Sequence, residues 1–160
     1  MKKFMTLLNQ WSFSYVDIGL LLFRLGLGGM FMWHGYPKVI GGVEKWTAHG
    51  KSMEVFGITF APAFWGFMSG FAEFFGGFFF AIGFLYRPMC FLLVGNMFVA
   101  FLTQMLGDKG LAKASQSLED GLSFFAAFFV GPGRYSVDEY LGLNSSSKST
   151  IFEYKESRVP

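Results

Sequence analysis

The stretch PAFWGFMSGFAEFFGGFFFAIGFLYRPMCFLLVGNMFVAFLTQML, residues 62–106, holds two apolar runs of bilayer length with one break, at Arg87-Pro88. A helix crosses the hydrocarbon core with about 20 apolar residues, and each run supplies that many. Pro62 suits a first helical turn, where a missing N–H leaves nothing unpaired, so one helix is expected from Pro62 to about Tyr86. Arg87-Pro88 is too tight a break for anything but an antiparallel return, which starts the next helix at Pro88 and carries it to about Leu106. The two form a membrane hairpin. Gly66 and Gly70, continued by Ala72 and Gly76, give the first helix a small-residue face on which a neighbouring helix packs closely.

On the N-terminal side, an apolar run from Val16 to Tyr36 gives another crossing that ends before Pro37. Met1 to Tyr15, with two lysines and mixed polar and aromatic residues, suits an interfacial segment. It does not read as a signal peptide, because no small-residue cleavage site follows and the apolar run continues to membrane length. Pro37 to Ala61, with Gly41-Gly42, Trp46 and His49, is the one loop long enough to form a lid or a partner surface.

On the C-terminal side only Gly121 to Val130 is cleanly apolar, and about ten residues do not cross a bilayer. If Asp108 caps the helix, Leu111 to Val130 reaches about 30 Å at about 1.5 Å per residue. Its first half then carries Lys113, Ser115, Gln116, Ser117, Glu119 and Asp120, so it either stands proud of the membrane or lines a wet cavity. Gly131-Pro132-Gly133 ends this helix, and residues 144–160, rich in serine and charge, read as a mobile tail. The expected fold is all-α, an integral membrane four-helix bundle over residues 1–143 with helices at about 16–36, 62–86, 88–106 and 111–130.

Composition agrees. The 160 residues are 52% hydrophobic and only 15% charged, with 23 phenylalanines and 21 glycines, and the mean hydropathy is +0.41. Four crossings consume about half of such a chain, which leaves no room for a separate soluble catalytic domain, and disorder is confined to the ends. A net charge of +2 from scattered lysines does not neutralise a run of phosphates, so nucleic acid is not an expected partner. Lys2, Lys3, Arg87, Arg134, Lys148, Lys155 and Arg158 on one side, against Lys38, Lys45, Lys51, Lys109 and Lys113 on the other, favour both termini in the cytoplasm. There is no internal repeat of the kind that marks an inverted-repeat transporter.

Polar residues inside the apolar runs are the candidates for function. Arg24 and Asn96 lie about equally deep, roughly 12 Å from the inner ends of their helices, and Glu73 lies about 7 Å further along the axis. An unpaired charge at this depth costs several kcal/mol, which predicts an Arg24–Glu73 contact bridged by Asn96 or water. Such a pair either fixes helix packing or holds an anionic or quinone-like ligand. A second set, His34, Tyr36, Gln104 and one of Glu119 and Asp120, gathers toward the outer end. Adjacent residues point about 100° apart, and Glu119 is expected to face the bundle axis. A histidine near a carboxylate suits proton transfer, and equally an interfacial histidine bonds a helix-end carbonyl. Two histidines and one cysteine provide no metal cluster, and Cys90 alone forms neither a disulfide nor a dithiol relay; it reads as a small buried hydrophobe. The nine methionines read as gap-filling core.

The order Arg24, then His34-Gly35-Tyr36-Pro37-Lys38 with Gly41-Gly42, then Glu73 ahead of Gly76-Gly77, and finally GPGRYSVDEYL over residues 131–141, resembles the DoxX family. The closing segment, similar to a GPGR-x-S-x-D ending, is the most specific part. The resemblance implies a small four-helix protein of the bacterial cytoplasmic membrane, with some relatives associated with oxidoreductases, one of them quinone-reducing. Where many relatives place a histidine near the outer end of the third helix, this chain has Gln104. In physical terms the ending reads as structural: Gly131 and Gly133 let the chain turn, Arg134 meets helix-end carbonyls or lipid phosphates, and Ser136 and Asp138 cap a short turn.

With the polar residues inside the helices, the resemblance implies a membrane subunit or accessory of a quinone-linked oxidoreductase system. It has no intrinsic cofactor, and a polar cavity around Arg24, His34, Glu73, Asn96, Gln104 and Glu119 is open to quinone or another small molecule. The expected partners are lipid and, as the resemblance implies, oxidoreductase proteins. The alternatives are a non-enzymatic anchor or assembly factor, and a small-solute or proton pathway, which so short a chain supports only as a homo-oligomer.

Overall fold

A computed structural model describes residues 2–107 and 110–143, with side chains from Tyr15 onward. The described residues are helical, with no strand among them. The expected cap by Asp108 and the expected mobile tail lie outside them.

Helix α1 runs from Lys2 to Val39, longer at both ends than the sequence suggests. Residues 2–15 contain no glycine or proline to stop it. At the other end Pro37 lies within the last turn, where the loss of one hydrogen bond does not break the helix. A second departure follows at once, because the expected loop is largely helical. Gly42, at φ +77, turns the chain into α2 (Gly42–Gly50), and a 3₁₀ segment, Lys51–Phe56, continues it.

Helix α3 spans Pro62–Ile82, with Pro62 in its first turn as expected and a π-helical stretch at Ala72–Gly76. It stops at Gly83, φ +68, and not at Tyr86, because a left-handed glycine ends a helix readily. Gly83 and Leu85, the latter at φ 46, form the turn, and α4 begins at Tyr86 and runs to Leu106. Pro88 therefore lies inside the first turn of α4 and does not form the break itself. Helix α5 (Gly110–Val130) returns antiparallel along α4, with which it makes the most extensive helix contact, and α6 is the short Val137–Tyr140.

Helices α1 and α3 run antiparallel in a close register set by glycine. A Cβ on Gly28 would lie 2.6 Å from the Gly77 carbonyl oxygen, and one on Gly35 would lie 2.4 Å from the Phe74 nitrogen. The small-residue face of α3 meets two neighbours. Gly66 abuts the Trp46 carbonyl of α2, and Gly70 abuts Lys38 of α1. The core sits toward the α3–α4 turn, where Phe31, Phe80, Tyr86, Cys90, Leu93, Met97, Phe124 and Ala127 are buried together. Phe124 contacts Phe31 and Phe80 edge-on at centroid distances of 4.7 and 5.0 Å, and Phe80 stacks on Tyr86 at 4.9 Å. Cys90 is buried there, as expected for a small hydrophobe.

Three segments, Tyr15–Val39, Pro62–Ile82 and Tyr86–Leu106, are long and apolar enough to cross a membrane. Large exposed side chains such as Trp33 and Phe91 clothe them, as lipid contact requires. Helix α5 matches α4 in length, 21 residues each, but its first half is polar.

At the turn end the 131–141 segment laces the helices together. Gly131 and Gly133 are left-handed, at φ +85 and +76, so the chain leaves α5 sharply. The Arg134 N–H donates to Asp17 Oδ1 of α1 at 2.9 Å, while Ser136 Oγ accepts from the Glu139 N–H and caps α6. Asp138 caps a different helix from the one its sequence neighbours suggest: its carboxylate accepts from Leu85 N–H at 2.9 Å and Tyr86 N–H at 2.8 Å, at the start of α4. The helix-end carbonyl of Phe128 is met by Arg87 Nε, at 3.3 Å, and not by Arg134. Asp138→Ala removes two charge-assisted bonds and a helix cap, so a loss of about 2 kcal/mol is expected, read as a lowered unfolding temperature in detergent while Asp138→Asn falls between.

Candidate functional site

Glu73 lies in the π-helical stretch of α3, a local widening that recurs at functional positions and re-aims side chains. It is 4% exposed. Its Oε1 accepts from Lys38 Nζ at 2.6 Å and from Asn96 Nδ2 at 3.0 Å, so α1, α3 and α4 meet at one carboxylate oxygen. Its Oε2 is buried and has no hydrogen-bond partner among the described residues.

The register explains why Lys38 is the partner. Because α1 continues through Pro37, Lys38 belongs to its last turn, beside Gly70, and its long side chain reaches along the interface to Glu73. The same turn holds α2 in place, since Trp46 Nε1 donates to the Lys38 carbonyl at 2.7 Å and the Trp46 ring packs edge-on to Phe67 at 5.0 Å.

Away from the α3–α4 turn these two helices separate, and a groove of about 1280 Å³ opens between them. Glu73 and Asn96 lie in its floor, with Phe64, Trp65 and Met68 on the α3 wall and Phe91, Leu92 and Val99 on the α4 wall. Ala48 to Met53 roofs the far end, where Thr103 Oγ donates to the Ser52 carbonyl at 3.3 Å. Phe64 and Phe91 are exposed at the rim, so the groove opens sideways, toward the surface that the apolar residues mark for lipid. His49 borders the roof. Partial desolvation of its imidazole, followed by the charge of Lys38 and then Lys45, pushes its pKa below the ordinary value, against a raising influence of Glu73.

Of the six residues singled out from the sequence, Glu73, Asn96 and Gln104 line this groove, and Arg24, His34 and Glu119 do not. The expected Arg24–Glu73 contact is absent. Arg24 is 1% exposed and lies beside Gly83, where its Nη2 donates to the Tyr135 carbonyl. It stands 14 residues, or about 21 Å, from Lys38 along α1, so depth measured from an assumed start at Val16 misplaced it. Its Nε and Nη1 have no partner among the described residues. Gln104 donates to Ser117 Oγ at 2.9 Å and ties α4 to α5.

At the His34 position the carboxylate is the other one of the adjacent pair. Glu119 is exposed, whereas Asp120 lies within electrostatic reach of His34. The buried face of α5 is Ala114, Ser117, Phe124 and Ala127, and position 120 falls on it by spacings of three and four. That stripe was a readable signal. Lys38 and His49 also line the groove, although the sequence places both in the loop after Tyr36. Among the described residues no group of three or more His, Cys, Asp or Glu is arranged to hold a metal.

Among the described residues the chain is helical, with three apolar segments of membrane length and a buried charge pair between two of them, the pattern of a membrane protein. A family model described as DoxX matches residues 19–106, more than half of the chain, and the protein belongs to the DoxX family. The matched region contains Lys38, Glu73 and Asn96; the GPGRYSVDEYL ending lies beyond it. No curated protein and no solved structure gives a significant match.

Proposed function

We propose that this DoxX protein is a four-crossing subunit of a quinone-linked oxidoreductase system in the bacterial cytoplasmic membrane, with both termini cytoplasmic. In this reading the groove above Glu73 receives the quinone headgroup, and catalysis itself belongs to partner proteins. The observation that carries it is the buried Lys38–Glu73–Asn96 cluster in the floor of an apolar, side-opening groove. Ligand sites are mostly apolar with a few placed polar groups, and this one has a slot for a ring and apolar walls for a tail. The fourth crossing is α5: Ser117 and Asp120, polar residues that lipid would exclude, turn toward Gln104 and His34. The excess of lysine and arginine at the turn end and in the termini supports a cytoplasmic position for that side.

The test is purification in mild detergent, followed by extraction and mass spectrometry of bound lipids and co-purifying proteins. Wild type is expected to retain a quinone and a redox partner, and Glu73→Ala at least ten-fold less quinone. Absence of both from wild type, with unchanged membrane redox activity in a Glu73→Ala strain, overturns the reading. A non-enzymatic anchor is the second reading, favoured by the internal pairing of Lys38 with Glu73. It predicts that partner capture survives when Asn96→Leu removes a polar group from the groove floor.

A further inference from the structure

We propose that the protein is a two-fold symmetric dimer joined through its α1–α5 face, with His34 of each copy bonded to Glu119 of the other inside the membrane. The proposal rests on α5 being the fourth crossing, and on nothing that the groove between α3 and α4 receives. Two stripes on α5 reach the surface. Leu118, Leu122, Phe125 and Phe129 form one, exposed, bulky and apolar, as lipid contact requires. The other, Ala112, Gln116, Glu119, Ser123 and Ala126, is polar and small and recurs at alternating steps of four and three residues. It borders α1, because Gln116 is one turn from Asp120, which lies within electrostatic reach of His34.

Depth decides what covers this face. Gln104 bonds Ser117 at 2.9 Å, and a Cβ on Gly121 would lie 3.4 Å from Met97 Cβ, so Glu119 stands level with about Ala100 of α4, roughly 9 Å inside the Leu106 end. Phe31 and Phe124 touch at a centroid distance of 4.7 Å. Counted from that contact toward the same end, His34 is about 4.5 Å away and Glu119 about 7.5 Å, so the two share a depth to within about 3 Å. Both are exposed, and neither side chain has a hydrogen bond or an ion pair among the described residues. Ionisable groups at such depth face protein and not hydrocarbon.

The cover that fits is a second copy. A two-fold axis along the membrane normal keeps every residue at its depth, so a donor and an acceptor that share a depth on one face meet their opposites twice. The imidazole has two ring nitrogens, one for Asp120 of its own chain and one for the partner subunit's Glu119. Gln116, donor and acceptor at once, pairs with its own copy near the axis, while Ala112, Ser123 and Ala126 let the two α5 backbones approach.

The experiment uses the full chain, with native, buried Cys90 kept and one further cysteine placed on α5, oxidised in native membranes. Gln116→Cys and Ser123→Cys are expected to give a covalent dimer, and Leu122→Cys and Phe129→Cys, on the lipid stripe, less than one-tenth as much. Native mass spectrometry from mild detergent should show two copies for wild type, association weakened at least ten-fold in His34→Ala and in Glu119→Ala, and recovery when His34→Glu and Glu119→His are combined. Equal cross-linking of both stripes, cross-linking only to a different protein, association unchanged in the two alanine variants, or an exchange that does not recover overturns the inference and leaves the fourth crossing standing. Labelling of Leu122→Cys by a membrane-impermeant maleimide, which puts that part of α5 in water, overturns both. If the His34 or Glu119 variants do not fold, the contrast between Ser123→Cys and Leu122→Cys decides alone.

Discussion

Lys38→Met is expected to destabilise the protein by about 3–5 kcal/mol, the range for stranding one partner of a buried ion pair. Glu73 is the deeper member, with 5% of its side chain exposed against 27% for Lys38. The two single substitutions are therefore unequal. Without Lys38 the carboxylate keeps only Asn96 as a partner, with 5% of its side chain exposed. Without Glu73, in Glu73→Gln, the lysine extends toward solvent and the amide keeps a bond to Asn96, so a loss of about 1 kcal/mol is expected. In the double variant Lys38→Met with Glu73→Leu most of the stability returns, since apolar replacement of a whole buried pair is often neutral. Thermal unfolding in one detergent orders the four proteins. If Lys38→Met proves no less stable than Glu73→Gln, the depth asymmetry described here is wrong.

Gly66→Ala should have the second-largest effect. A Cβ there would stand 1.8 Å from the Trp46 carbonyl oxygen, and one on Gly50 would stand 1.7 Å from the Pro62 carbonyl oxygen. Both obstacles are backbone, so no rotamer change relieves them; α2 has to move off α3. Overpacking of this kind typically costs about 1–3 kcal/mol. Here it also strains the Trp46–Lys38 hydrogen bond and displaces the roof of the groove. The expected outcome is a protein of unchanged helix content, cut faster by protease within residues 42–56 and weakened at least ten-fold for any groove ligand. Gly29→Ala, at a glycine whose added Cβ would meet nothing within 4 Å, is the control and should leave both readouts unchanged.

The residues explain how much of this was legible. Apolar runs of bilayer length located the cores of α1, α3 and α4, and Gly131 and Gly133 marked a sharp exit from α5 that the left-handed backbone carries out. The partner of Glu73 was out of reach because it depends on register between helices, and two local features shift that register. Pro37 does not stop α1, which brings Lys38 into the helix, and the π-helical stretch at Ala72–Gly76 turns Glu73 away from where a regular helix would aim it. Neither is visible in hydropathy. The choice between Glu119 and Asp120 was a different case, since the stripe of Ala114, Ser117, Phe124 and Ala127 carried the answer. The groove arises from the divergence of α3 and α4, which is a property of their packing and not of either sequence alone.

The clasp of Asp138 on the N-terminus of α4 has a consequence for how the protein is made. The turn it closes contains Leu85 in a left-handed conformation, and Leu85 and Tyr86 present N–H groups that only the Asp138 carboxylate accepts from among the bonds described. Those residues leave the ribosome some fifty positions before Asp138 does. The hairpin of α3 and α4 is therefore made with its turn unfastened, and stays so until α5 has been made and the chain beyond it has folded back. Completion of α5 and of the segment after it is thus what locks the α3–α4 hairpin, and a nascent chain that stalls before residue 138 carries an open seam at that turn.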